Sequence, residues 1–301
     1  MVTFSSVLVS KGYTVAIFAN FTEDVSVNGV DFINYSKFRT TMEYNIIILW
    51  RFLGLISFFK FNNIKFNKLF LDLYDNNLGG NEKLLIDNID SFNKIIFKSN
   101  FQINFLIDNI KNNYYKESIT NISVNIPSGI NKNILANINN INRENLRFCY
   151  SNSYGNGLPF LLLYFFTTIK KIFPESEFHI YNGMDDIFDD EFKKKLIPLF
   201  NIPGVTEHGK QSFKTILDEK YKSTFHLYYT SGTSDVDCVS IKESVFCGCI
   251  PILSKYHIFN DSIGIHLDGD PSDPQSHVNA ALQLSQMIKE NNFIKKKQYE
   301  I

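Results

Sequence analysis

Short apolar runs of four to eight residues alternate with amphipathic stretches along the 301-residue chain. That alternation marks βαβ units and predicts an α/β fold built on parallel sheet. In the first half it predicts strands at Tyr13–Ala19, Val30–Asn34, Asn45–Leu49, Lys68–Leu73, Lys94–Phe97 and Ile122–Ile126. Helices are expected between them at Phe4–Lys11, Arg51–Phe59, Glu82–Asn88 and Phe101–Asn112. In the second half it predicts strands at Leu146–Tyr150, Glu177–Tyr181, Val205–Glu207, Thr224–Tyr229, Ile250–Leu253 and Gly264–Leu267, with a last helix over His277–Lys289. The pattern breaks once, at Pro127-Ser-Gly129 and the polar stretch that follows. The expected organisation is a Rossmann-like domain over 1–128, a linker over 129–145 and a second Rossmann-like domain over 146–301, the two facing a cleft. The first domain opens inside a helix, without the strand and glycine turn that start a Rossmann half, so its first strand is expected to be missing.

Composition narrows the function classes. Hydrophobic residues make up 44% and charged residues 20%, ordinary values for a folded globular chain. A net charge of −1 leaves no electrostatic footprint for nucleic acid. The 29 phenylalanines and the asparagine-rich pieces such as Asn137–Asn142 reflect a compositional bias more than a function. Four cysteines form no CxxC pair and read as small buried hydrophobes, which with the absence of a secretion signal predicts a reduced, cytoplasmic protein. The six histidines show no metal-ligand spacing, so no metal site is expected. Arg51 interrupts the run Ile46–Phe59, and Leu158–Ile169 is too short for a bilayer; both read as buried elements rather than membrane spans.

Three segments of the second half carry candidate chemistry. A strand, the loop Ser151-Asn-Ser-Tyr-Gly155-Asn156-Gly157 and a helix with Pro159 in its first turn make a candidate anion site. Free backbone N–H groups and the helix dipole meet there. A plain strand-to-helix turn explains it equally. The second, Gly204-Val-Thr-Glu-His208-Gly209-Lys210-Gln-Ser212, is a strand and turn whose backbone around Gly209 could read a nucleobase edge, with Lys210 near a phosphate. An exposed turn with Ser212 capping the next helix is the competing reading. The third runs Asp235-Val-Asp237-Cys-Val-Ser240-Ile-Lys242-Glu243 and on through Gly248 to Pro251. It places two carboxylates eight positions apart between strands, at the carboxyl edge where open α/β sheets bind ligands. Ser240-x-x-Glu243 also fits a capping box, which would account for Glu243 alone. Asp235-Val-Asp237 and Asp268-Gly-Asp270 could suggest a metal-binding pair, but two-residue spacing is common by chance.

This third segment resembles the acidic-x7-Glu element of retaining GT-B glycosyltransferases, which continues there as Glu-Ala-x-Ala-x-Gly-x-Pro. Ile126-Pro-Ser-Gly129-Ile resembles the element that closes the first domain of that family. The resemblance implies transfer of a sugar from a nucleotide-sugar co-substrate to an acceptor hydroxyl, retaining and metal-independent. The acceptor class, whether glycan, lipid or protein, stays open, as does a peripheral membrane contact. On the family pattern Asp235 stands at the first acid, which approaches the donor sugar, with Asp237 as a rival. Glu243 stands at the second acid, which hydrogen-bonds the ribose. Gly155, Asn156, Gly157, Gly209, Lys210, Asp237, Ser240 and Lys242 would line the donor, Lys242 standing in for basic residues the glycine loop lacks. In the first half Asp75, after a strand, is an acceptor-side candidate or a turn former. The alternative is a non-catalytic nucleotide- or sugar-binding remnant. An oxidoreductase is disfavoured because no GxGxxG follows a first strand.

Overall fold

The computed structural model describes residues 2–76, 78–130, 143–185, 187, 189–231 and 235–300. Residues 131–142, most of the expected linker, lie outside the described residues. The chain divides into two compact units, one of residues 1–97 with 106–125 and one of residues 98–105 with 126–301. Residues 98–105 thus group with the second unit, where Phe101 packs against its hydrophobic core and contacts His257.

The first unit holds two sheets. Strands β1 (Val15–Ala19), β2 (Val25–Val27) and β3 (Val30–Asn34) form one in the order β1-β3-β2, with β1 parallel to β3. Strands β2 and β3 make a hairpin over Asn28-Gly29, both at positive φ, the turn chemistry that Asn-Gly favours. Strands β4 (Glu43–Trp50), β5 (Lys65–Asp72), β6 (Lys94–Phe97) and β7 (Ser123–Asn125) form the other, wholly parallel, in chain order. Among the described residues β4, the edge strand of this sheet, pairs with no strand of the other. Two expectations change at this edge. The helix begins at Leu55 rather than Arg51, because Arg51 sits at φ +64 and cannot continue a helix. The run Ile46–Phe59 is only partly buried. Leu49, Leu53, Ile56 and Phe59 point inward, whereas Ile46, Trp50, Phe52 and Phe58 are exposed.

The second unit is one parallel six-stranded sheet. Strands β8 (Glu144–Tyr150), β9 (Glu177–Ile180), β10 (Val205–Glu207), β11 (Ser223–Tyr228), β12 (Ile250–Ser254) and β13 (Ile265–Leu267) run in the order β10-β9-β8-β11-β12-β13. This is the 3-2-1-4-5-6 order of a doubly wound domain, and its direction reverses between β8 and β11. Both β11 and β12 are buried along their whole length; β12 reads as a near-continuous apolar run, whereas β11 (Ser-Thr-Phe-His-Leu-Tyr) carries buried polar residues as well. On one face Phe148, Tyr150, Phe178, Ile180 and Phe225 pack under the helices Leu158–Ile172 and Pro274–Lys289. The middle of the first of these, Leu161–Phe166, is π-helical, and the whole helix is too short to span a bilayer. Among the described residues no helix is long and apolar enough to cross a membrane.

The opposite face is polar. The registered row His179–Cys149–His226 crosses it, with Arg147 beside Glu177, under the helices Phe213–Lys222 and Val239–Phe246. Gly248 (φ +69) ends the latter helix, as expected, in a Schellman turn. Its N–H bonds Val245 O at 2.9 Å and the N–H of Cys249 bonds Ser244 O at 2.8 Å. Arg143 then ties both helix ends together, donating to the carbonyls of Lys220 (3.3 Å), Ser223 and Cys247 (2.6 Å). A cation on helix C-terminal carbonyls is favourable twice over, by hydrogen bonding and by the dipole. Arg143→Ala should therefore lower stability by about 2 kcal/mol. Urea unfolding should show the midpoint fall with the slope unchanged.

Candidate functional site

The chain order reverses between β8 and β11, and doubly wound domains bind ligands beyond the carboxyl ends of their strands at such a switch point. The three candidate segments of the second half follow β8, β10 and β11, so the topology delivers all three to that edge. Hydrogen bonds then join them.

The loop after β8 is held from beneath by Tyr150, whose hydroxyl donates to Ser153 O at 2.6 Å and Asn156 O at 3.3 Å. Gly157 turns it into the following helix at φ +86. A Cβ there would meet Thr230 Cγ2 at 3.2 Å, so both space and conformation call for glycine. Pro159 stands in the first turn of the helix, as expected.

Tyr154 carries this loop to the second segment. Its hydroxyl donates to Glu207 Oε1 at 2.6 Å and accepts the N–H of Gly183 at 2.9 Å; Glu207 Oε1 also accepts the N–H of Gly209 at 2.8 Å. Gly209 sits at φ +69 with open space where a side chain would be. Gly183 packs so closely on the Lys210 backbone that a Cβ would lie 2.7 Å from its nitrogen. Ser212 caps the next helix by accepting the N–H of Thr215 at 3.1 Å, as the bland reading of this turn expected.

His208, inside the same turn, stacks on Tyr181 (ring centroids 4.4 Å, 4° between planes) and meets His179 Nδ1 at 2.9 Å. Burial, and then the neighbouring His179, hold the His208 pKa below its usual value. Burial likewise lowers those of His226 and His277. The unfolded chain therefore takes up protons near pH 6.5 that the folded chain does not, and stability must fall as pH drops through that region. Melting curves should show a lower Tm at pH 5.5 than at pH 7.5, and His208→Asn should remove part of the difference.

The third segment joins the first through Tyr228. Its hydroxyl donates to Asp235 Oδ2 at 2.8 Å and accepts from Asn152 Nδ2 and from Asn156 Nδ2, the latter at 3.3 Å. Asp235 is thereby fixed at the glycine loop, and burial raises its pKa against the opposing Tyr228 hydrogen bond. Asp237 is engaged elsewhere. It pairs with Lys242 and accepts the N–H of Ser128 at 2.5 Å, while Lys242 also donates to Ser128 O at 3.1 Å. Both residues thus clamp the Pro127-Ser-Gly129 turn.

The capping box does not form. The helix runs over Val239–Phe246 with Cys238 at its N-cap and no side-chain cap, so Ser240 and Glu243 both lie within it. Instead Ser240 Oγ meets Ser151 Oγ, at the start of the glycine loop, at 3.0 Å. Glu243 Oε2 accepts from Lys220 Nζ at 2.8 Å, and Glu243 Oε1 has no protein partner among the described residues.

Gly155, Asn156, Gly157, Gly209, Lys210, Asp235, Ser240 and Glu243 therefore lie on loops and a helix start that follow β8, β10 and β11, and hydrogen bonds tie the first of these segments to each of the other two. Asp75 belongs to the first unit, where Arg51 grips it with two bonds of 2.9 and 2.6 Å, a pairing neither turn chemistry nor an acceptor role anticipated. Sequence reasoning missed Tyr154, Glu207, Lys220 and Tyr228. The tyrosines had a signal, since each stands at or just beyond a strand's carboxyl end beside a glycine or acidic loop.

No protein-family model matches the sequence, and no curated protein sequence does. Solved structures do match. Sucrose-phosphate synthase from Thermosynechococcus elongatus superposes with a TM-score of 0.69 at 11% identity, over 99% of this chain and 86% of that one. HepE from Anabaena, in complex with UDP and glucose, gives 0.62 at 12%, over 83% and 71%. TarM from S. aureus, in complex with fondaparinux, alpha-GlcNAc-glycerol and UDP, gives 0.60 at 13%, over 85% and 51%. The chain thus spans about half the length of TarM. Taken with the doubly wound order of the second unit, these matches show that the chain has the α/β fold of the GT-B glycosyltransferases.

Proposed function

We propose that the chain binds a nucleotide sugar at the switch point of its second unit and transfers the sugar to an acceptor hydroxyl, with retention and without a metal. The observation that carries this reading is the joining of three separate loops at the switch point by Tyr154 and Tyr228. The diphosphate would lie against the Gly155–Gly157 backbone and the helix it opens, where N–H groups and the dipole favour an anion. The base would meet the turn at Gly209 and Lys210. Glu243 Oε1 would take the ribose hydroxyls, and Asp235 would face the sugar. Leaving-group charge would be stabilised by fixed backbone dipoles, an electrostatic role that needs no covalent step. HepE and TarM, both captured with UDP, share the fold and so support the donor class.

A second reading has an observation of its own. The glycine loop has no lysine or arginine, and Lys220 and Lys242 are both committed to carboxylates. That favours a protein that binds the nucleotide without turning it over. Calorimetric titration with UDP-glucose, UDP-GlcNAc, GDP-mannose and ADP-glucose, followed by a hydrolysis and transfer assay, separates the cases. Binding with turnover supports transfer, and binding alone supports the second reading. No binding to any of the four refutes the site.

A further inference from the structure

Lys220 is wholly buried, yet it belongs to a helix whose sequence, Phe213-Lys-Thr-Ile-Leu-Asp-Glu-Lys-Tyr-Lys222, would pass for a solvated surface element. Its ammonium donates to Ser240 O at 2.7 Å, Ser240 Oγ at 2.9 Å and Glu243 Oε2 at 2.8 Å. An ammonium has three N–H groups, so all are used and none is left for a ligand. Burying a cation is costly before its partners compensate, and an apolar pair of similar volume in place of Lys220 and Glu243 would be about as stable. Its effect on the donor site must therefore pass through the groups it holds.

We infer that Lys220 is a positioning residue of the donor site, a buried cation that fixes Glu243 and Ser240 and, through Ser240, the first residue of the glycine loop. Two hydrogen bonds in series make the link, Lys220 Nζ to Ser240 Oγ and Ser240 Oγ to Ser151 Oγ at 3.0 Å. With Oε2 held on the ammonium, the Glu243 carboxylate keeps one orientation, and Oε1 is the oxygen left to a ligand. The neighbouring residue fixes the helix itself. Glu219 is buried against Arg147 and Tyr181, so the adjacent pair Glu219-Lys220 is locked on both sides and Lys220 has little freedom to follow a displaced Glu243.

This inference rests on the reading that Glu243 contacts the nucleotide, and its test keeps the two apart. UDP, GDP and ADP are titrated by calorimetry into the intact chain and into Lys220→Met, Glu243→Gln and the double variant, each checked for folding by circular dichroism. Lys220→Met should weaken the preferred nucleotide about tenfold or more. In the Glu243→Gln background the same change should cost little further, a non-additivity that a merely structural lysine would not produce. If Lys220→Met does not fold, Ser240→Ala, which breaks the hydroxyl link alone, should weaken binding at least threefold. Wild-type binding with an unaffected folded Lys220→Met, or with an unaffected Ser240→Ala, overturns the role of Lys220 and leaves the donor reading standing. A wild-type chain that binds none of the three removes both.

Discussion

Replacing Arg147 with methionine should lower the folding stability by about 3–5 kcal/mol, the cost of stranding a buried charge. Arg147 is a hub on the polar face of the second sheet. Its Nε and Nη2 fork onto Glu219 at 2.7 and 3.0 Å, and its Nη1 reaches Glu144 and Glu177 at 2.8 and 3.1 Å. Glu219 is 5% exposed. Burial alone would raise its pKa, but hydrogen bonds from Arg147, Tyr181 and Ser223 outweigh that and hold it at about 2. Because the folded value lies below the unfolded one, this stabilisation is present above about pH 4.5 and is lost as pH falls toward 2. Without Arg147 the carboxylate keeps two hydroxyl donors and no counter-charge. The second change Glu219→Leu should then recover most of the loss, since an apolar pair is about as stable as a buried ion pair. Urea unfolding of the two variants checks both halves. A loss below about 1 kcal/mol for the single variant would show the network to be dispensable. Tyr181 bonds Glu219 and stacks on His208, so the same variant should also loosen the turn at Gly209.

Asp235→Ala should lower kcat/KM for sugar transfer about 100-fold or more while leaving the Kd for UDP within about twofold. The reason is geometric. Tyr228, itself held by Asn152 and Asn156, fixes Asp235 at the glycine loop, and in the proposed donor pose the sugar lies there beyond the diphosphate. Tyr228→Phe removes the hydrogen bond and keeps the ring, so it should cost about tenfold, consistent with one bond to a charged acceptor. Steady-state kinetics on donor hydrolysis, with UDP calorimetry alongside, gives both readouts. Asp237→Ala should instead disturb the Ser128 turn and change stability more than rate. If Asp235→Ala retains kcat/KM within threefold while Asp237→Ala loses it, the two acids have been assigned the wrong way round.

The second unit was legible because its inner strands are largely buried. Such strands read as short apolar runs, and β9, β10 and β12 begin at the residues the pattern predicts. Gly157 and Gly248 were legible for a different reason, since each needs a left-handed backbone that few residues adopt. The first unit was less so. Strand β2 was missed although Asn28-Gly29 is a strong hairpin signal, because Val25-Ser26-Val27 is too short a run to establish a period. The helix Asn113–Ile122 falls between the expected helix Phe101–Asn112 and the expected strand Ile122–Ile126 and has no counterpart in the pattern, although Asn112 caps it by accepting the N–H of Tyr114. Arg51 was placed in a helix on its apolar context, which says nothing of a positive φ.

The site shows the same division. Glycines and the spacing of Asp235 and Glu243 are local facts. The pairs that organise them, Lys220 with Glu243 and Tyr154 with Glu207, join residues 23 and 53 positions apart. Ser240-x-x-Glu243 satisfied a local capping rule, yet the helix starts two residues earlier than that rule requires, and tertiary partners took both side chains. A buried Glu219-Lys220 dipeptide in a polar helix carries no sequence mark at all.

Hydrogen exchange with and without saturating UDP tests the central claim most directly, since it asks whether three separated segments respond as one site. Slowed exchange is expected in peptides covering 151–160, 207–211 and 235–244, with the first unit unchanged. Protection confined to one of these segments, or found elsewhere in the chain, would contradict a single donor site at the β8–β11 switch point.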